Sequence, residues 1–204
     1  MVKVGFIVEG DCEKIIIESP QFKQFLLSCG FELVTPVINA AGGGNLLPRN
    51  IQAYLDRFNG LDVDQICVLT DLEDEPSISV VTQRICHANI QVVFVAVKAL
   101  EAWFLADTAA LSTWLGQTHV EALPEQTPAK PWDRLKDLAA QYGCRGTGTS
   151  KVQFAKRMVK HYGFRVEAAA THSECPSVQQ LCGYFQNSSV VSTPSTSDED
   201  IAFD

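Results

Sequence analysis

The chain reads as an α/β fold, a mostly parallel sheet flanked by helices. Three observations predict this. Apolar, β-branched runs recur at residues 4–8, 65–69 and 91–97. Helix-like stretches lie between them, the alternation that builds βαβ units. Each run is closely followed by acidic residues: Glu9, Asp71 and Glu101. In an open parallel sheet the carboxyl ends of the strands share one edge, and ligands bind there.

Residues 3–8 read as a first strand, apolar enough to be buried on both faces. Asp11 is placed to cap a helix over residues 12–28, with Glu13 in its first turn. Pro20 would kink or interrupt that helix. Residues 31–38 alternate into a second strand, and the Ala-Ala-Gly-Gly-Gly-Asn run at 40–45 makes a flexible turn. A helix over 46–58 places Leu47, Ile51, Tyr54, Leu55 and Phe58 on one side. Residues 65–70 form a third strand, 77–87 a helix and 90–97 a fourth strand, with right-handed crossovers expected. Beyond Leu100 the pattern turns helical, at 101–106, 109–115, 131–142, 151–162 and 177–184. A Gly/Thr-rich loop lies at 143–149. From residue 186 the chain is Ser/Thr-rich, ends in acids and is expected to be disordered. The division is thus an α/β domain over 1–107, a helical extension over 108–185 packed on it, and an acidic tail over 186–204.

No stretch approaches the roughly 20 apolar residues that cross a bilayer. The N-terminus enters a strand pattern without the apolar region and cleavage site of a secretory signal. A soluble, cytoplasmic protein without membrane contact is expected. The 7 cysteines are odd in number and include no C-x-x-C pair. Reduced, mostly buried thiols fit better than a disulfide or zinc framework. Cys12 lies among acids, which raise a thiol pKa. The net charge of −8 is unevenly spread. Residues 128–165 hold Lys130, Arg134, Lys136, Arg145, Lys151, Lys156, Arg157, Lys160 and Arg165 against only Asp133 and Asp137. Such a segment reads as a nucleic-acid contact or as solvated helix faces.

Glu9-Gly10, Glu13, the Asp71-Leu72-Glu73-Asp74 run and Glu101 are predicted to meet at one sheet edge. Converging carboxylates repel unless a cation neutralises them, and hard oxygen donors suit Mg²⁺ or Mn²⁺. Such a site suits phosphoryl transfer. Taken singly, Glu13 also reads as a dipole-stabilising residue and the acidic run as a solvated turn. Trp103, Phe104 and Leu105 read as core rather than a base-stacking platform. Asp107 reads as a helix cap, and Lys98 as a side chain that balances charge beside the acids. His87, His119, His161 and His172 show no ligand spacing. No Gly-Lys-Ser/Thr follows Gly42-Gly43-Gly44, so a P-loop is rejected in favour of a flexible connection.

Two segments, VGFIVEGDCE at 4–13 and VLTDLED at 68–74, resemble the signature segments of the TOPRIM domain. That domain is shared by topoisomerases, primases and OLD-type (overcoming lysogenization defect) nucleases. VAVKALEAWFLAD at 95–107, with Lys130-Pro131 and Ser150-Lys151, resembles a TOPRIM-like family of small bacterial proteins. Its members often lie beside an AAA-type ATPase in phage-defence loci. The resemblance spans residues 2–185. It implies a TOPRIM-like (Rossmann-like) sheet, with Glu9 as metal ligand and general base and Asp71 as principal metal ligand. The usual third carboxylate is an Asp two positions on, where this chain has Glu73 followed by Asp74, and which of them reaches the metal stays open. Glu13 matches a second early glutamate of the nuclease branch and Glu101 a later acidic position. Lys98 and Lys151 are candidates for a lysine near the phosphate. The implied function is a Mg²⁺- or Mn²⁺-dependent nuclease working with an ATPase partner, its nucleic acid gripped by residues 128–165. The alternatives are a non-catalytic regulatory subunit of such a system, or a receiver-like phosphoacceptor domain using Glu9, Asp11, Asp71 and Lys98.

Overall fold

The computed structural model describes residues 1–188. Five strands form one sheet: β1 (Val2–Val8), β2 (Phe31–Leu33), β3 (Ile38–Asn39), β4 (Gln65–Asp71) and β5 (Val92–Ala96). The order is β2-β1-β4-β5, with β3 beside the far end of β1. Every pairing is parallel, with Val2 opposite Phe31, Ile7 opposite Ile38 and Val68, and Leu69 opposite Phe94. The predicted parallel α/β sheet is therefore present.

Both faces of the sheet are covered, as an all-parallel sheet requires. Alternate side chains sort cleanly between them. Val4, Phe6 and Val8 of β1, Cys67 and Leu69 of β4, and Phe94 and Ala96 of β5 face the larger core. Ile7, Val68, Val93 and Val95 face the smaller one. That smaller core is closed by Ile51 and Leu55 of α3 (Pro48–Leu55) and by Val81 of α4 (Ile78–Arg84).

The larger core is closed by α1 (Asp11–Ile17), α2 (Pro20–Ser28) and the whole later helical set. That set comprises α5 (Glu101–Ala106), α6 (Thr108–Leu115), α7 (Pro131–Tyr142), α8 (Lys151–His161), α9 (Val166–Ala169) and α10 (Pro176–Ser188). Phe185 of α10 packs against Phe6, Phe22, Phe25, Phe31 and Phe94, so the last helix fills the space under the first strands. Truncating such a ring costs about 3–5 kcal/mol. The helices after residue 107 thus share one continuous core with the sheet.

Several elements depart from expectation for local reasons. The helix over 12–28 is two helices. Ser19 accepts from the Phe22 N–H and Pro20 opens α2, where its missing N–H costs nothing. Asp11 is the first residue of α1 rather than its cap; Gly10 precedes it without a side-chain cap. The strand over 31–38 breaks into β2 and β3 around Pro36, which has no N–H to give a ladder. Residues 186–188, expected in a disordered tail, continue α10; the rest of that tail lies outside the described residues. Asp107 does cap α6, accepting from the Ala110 N–H at 3.0 Å. Trp103, Phe104 and Leu105 are fully buried core residues. Among the described residues no helix is long and apolar enough to cross a membrane.

Candidate active site

The carboxyl ends of β1, β4 and β5 share one edge because the strands are parallel. Glu9 continues β1, its N–H donating to the Leu69 carbonyl at 3.0 Å. Its carboxylate is fastened from three sides. The Thr70 hydroxyl and the Asp71 N–H, the latter at 3.2 Å, donate to Oε2, and the Gly43 N–H donates to Oε1 at 3.1 Å. The glycine run is what allows the third bond. Gly42 takes φ 123°, and a Cβ on Gly43 would stand 3.2 Å from Glu9 Oε1. The run expected to be a flexible connection is a clamp on Glu9.

Asp71 ends β4. Its Oδ1 accepts from the Leu100 N–H at 2.8 Å, which ties it to the turn after β5. Burial, then Glu13, Glu101 and Glu9, push its pKa well above the usual carboxylate range, against the Leu100 bond. Glu13 lies in the first turn of α1 and is buried. Burial, with Glu9 and Glu101 adding to it, raises its pKa to about 7. Glu101 opens α5 and is 3% exposed. One oxygen, Oε1, sits 2.9 Å from Lys151 Nζ; the other, Oε2, is buried with no partner. Lys151 is the first residue of α8, behind the Ser150 cap. Burial works against its charge, but Glu101, Asp71 and Cys12 outweigh it and raise its pKa. Cys12 is pushed up to about 12, mainly by burial and then by Glu13 and Glu101. It is no nucleophile at neutral pH.

Glu9, Glu13, Asp71, Glu101 and Lys151 line one opening of about 350 Å³, together with Cys12 and Asn39. Asp71 is shared with two neighbouring openings. One holds Glu73, Asp74, Lys98, Lys130 and Lys151. The other holds Glu9, Glu73, Glu75 and Arg84. Glu73 and Asp74 are exposed and stand outside the opening where Glu13 and Glu101 are found. Lys98 lines the opening with Glu73 and Asp74, and its Nζ donates to the Thr127 carbonyl.

The chain matches no family model, no curated protein and no solved structure. The site therefore stands on its geometry.

Among the described residues, no group of three or more His, Cys, Asp or Glu side chains is already arranged to hold a metal ion. The carboxylate oxygens at the opening nevertheless fit a hard divalent cation in kind, one of them the orphaned Glu101 Oε2. Burial first, and then their mutual repulsion, raise the pKa values of Glu13 and Asp71, and a cation would relieve the repulsion.

The basic segment divides. Arg134 pairs with Glu121, Lys136 with Asp133, Lys151 with Glu101, and Arg165 lies 4.0 Å from Glu167. Arg157 donates to the Gly146 and Thr147 carbonyls. Lys130, Arg145, Lys156 and Lys160 are exposed. Sequence reading missed Thr70, Gly43 and the Leu100 N–H as supports of the site. Thr70 left a signal, as the lone hydroxyl in an otherwise apolar strand end. The Leu100 N–H left none, since a backbone donor carries no letter.

Proposed function

We propose that this protein is a Mg²⁺- or Mn²⁺-dependent phosphodiesterase acting on nucleic acid, a TOPRIM-like nuclease. The observation that carries this reading is the shared opening of Glu9, Glu13, Asp71 and Glu101 at the carboxyl edge of a parallel sheet. A divalent ion bound there would neutralise the scissile phosphate and lower the pKa of water. The chain's own residues divide the remaining work. Glu9, with both oxygens bonded, is a positioned anchor. Asp71 and Glu101 hold hard oxygens at the opening. In hydrolysis a water oxygen bonds to phosphorus as the bond to the leaving ribose oxygen breaks. The water's proton goes to a carboxylate, and solvent supplies one to the leaving oxygen. Glu13, which lines the same opening, is suited to take that proton. Exposed Lys130, Arg145, Lys156 and Lys160 offer contacts to the phosphate backbone. The resemblance in sequence adds an AAA-type ATPase as partner.

The test is cleavage of DNA and of RNA by the full chain in Mg²⁺, in Mn²⁺ and in EDTA. Metal-dependent cleavage that disappears in Asp71→Asn and Glu9→Gln is the expected result. Cleavage that survives both substitutions, or none under any condition with or without the ATPase, removes the reading.

A further inference from the structure

A second recess adjoins the carboxylate opening and shares Asp71 and Lys151 with it. It encloses about 320 Å³ and is lined by Asp71, Glu73, Asp74, Lys98, Lys130 and Lys151, with Ala99, Pro128, Ala129 and Pro131 between them. Pockets that take small ligands span roughly 300–1,000 Å³, so this one suits a single small polar molecule. A nucleic-acid duplex, whose major groove alone is ~12 Å wide, has no way to enter it.

We infer that this recess is a subsite for one unpaired nucleotide, a nucleoside monophosphate unit adjoining the carboxylate opening. Four features converge on that ligand. Three lysines line the recess, one of them shared with the carboxylate opening. Two long helices begin at its wall: α7 at Pro131, with no side-chain cap, and α8 at Lys151. Helix N-termini carry partial positive charge and favour phosphate. The wall is preformed. Lys98 Nζ holds the Thr127 carbonyl, the Thr127 hydroxyl donates to the Ala129 carbonyl at 2.7 Å, and Pro128 and Pro131 stiffen the segment. Preformed walls lower the ordering cost of binding. The opposite wall is held in strained backbone. Glu73 at φ 51° and Lys98 at φ 61° are joined by a 2.9 Å bond from the Glu73 N–H to the Lys98 carbonyl. Such strain gathers at ligand sites. Glu73 and Asp74 repel phosphate, which places the phosphate on the lysine side and leaves the carboxylates to accept from sugar hydroxyls or base amino groups. The substrate is then a single-stranded end or an unpaired nucleotide rather than the interior of a duplex.

Binding at the recess is independent of the phosphodiesterase reading; only the cleavage of the bound unit rests on it. The test is calorimetric titration of the full chain with deoxyadenosine monophosphate, with inorganic phosphate as comparator, in EDTA and in Mg²⁺. Ala129→Trp fills the recess from an exposed loop position, and Lys130→Glu reverses one charge. The expected result is nucleotide binding tighter than that of phosphate, weakened about tenfold or more by Ala129→Trp and about three- to tenfold by Lys130→Glu. Should Ala129→Trp fail to fold by circular dichroism, Lys130→Glu carries the same test. The subsite is overturned if the wild type binds no nucleotide, if phosphate binds equally well, or if the folded variants bind unchanged. Metal-dependent cleavage with no nucleotide binding sinks the subsite alone. Nucleotide binding without cleavage sinks the catalytic reading alone.

Discussion

Two acidic stretches follow two neighbouring strands, and they behave differently. After β1, Glu9 and Glu13 lie four residues apart and both reach the same opening, because α1 begins at Asp11 and carries Glu13 back over the strand end. After β4, only Asp71 does so. The chain turns at Glu73 into a left-handed conformation, and Glu73 and Asp74 emerge exposed on a lysine-lined recess. A helix start gathers carboxylates, whereas a strained turn disperses them. Acidity in sequence thus produces carboxylates gathered at one opening in one case, with Glu13 buried, and a solvated rim in the other.

The largest expected effect separates Asp71 from Glu73. Asp71→Asn should lower metal-dependent cleavage by ~10²–10³-fold, the loss of about 3–4 kcal/mol of charge stabilisation. Glu73→Gln should stay within about tenfold. Equal losses in steady-state rates would show that the exposed turn belongs to the ion site.

The buried set has a pH signature. The pKa of Glu13 in the folded chain, about 7, lies above the ordinary glutamate value of 4.5. Between those values the folded state binds more protons than the unfolded one. Stability therefore falls as pH rises through that window, by on the order of 1–3 kcal/mol without a divalent cation. Thermal melts from pH 5 to 8 should show the fall. Glu13→Gln should flatten it, and Mn²⁺ should raise the melting temperature more at pH 8 than at pH 5. A flat wild-type profile would mean that burial and its acidic neighbours do not raise the Glu13 pKa.

A smaller effect concerns the resident cation. Lys151→Met leaves both oxygens of buried Glu101 without a partner, but the lysine side chain is 45% exposed and solvent screens the pair. A loss of about 1 kcal/mol in urea unfolding is expected. Mn²⁺ should recover more of it than it adds to the wild type, because ion and ammonium compete for one carboxylate. The smallest effect is at the rim, where Asp74→Asn should change stability by less than about 0.5 kcal/mol in the same assay.

Much of the fold was legible in the letters. Buried strands declare themselves as apolar runs, and Pro20 is legible as a break in the first helix, whereas the Ser19 and Ser150 caps emerged only from the structure. Pro36 is also legible as a strand breaker, but the alternation around it masks the signal. At the site, Glu9, Asp71 and their meeting at one edge followed from strand ends alone. The behaviour of Lys98 did not. A four-carbon stem after β5 reaches either the acids or the Thr127 carbonyl, and the choice depends on a loop nearly thirty residues away.

By itself the sequence determined which residues end strands, and hence which carboxylates meet, because a parallel sheet aligns its strand ends by repetition. Only the tertiary structure decided which of those carboxylates are buried, which find a hydrogen-bond donor and which lysine answers them. Those outcomes depend on α5, α7 and α8 closing over the edge, contacts between residues remote in the chain that no local pattern encodes.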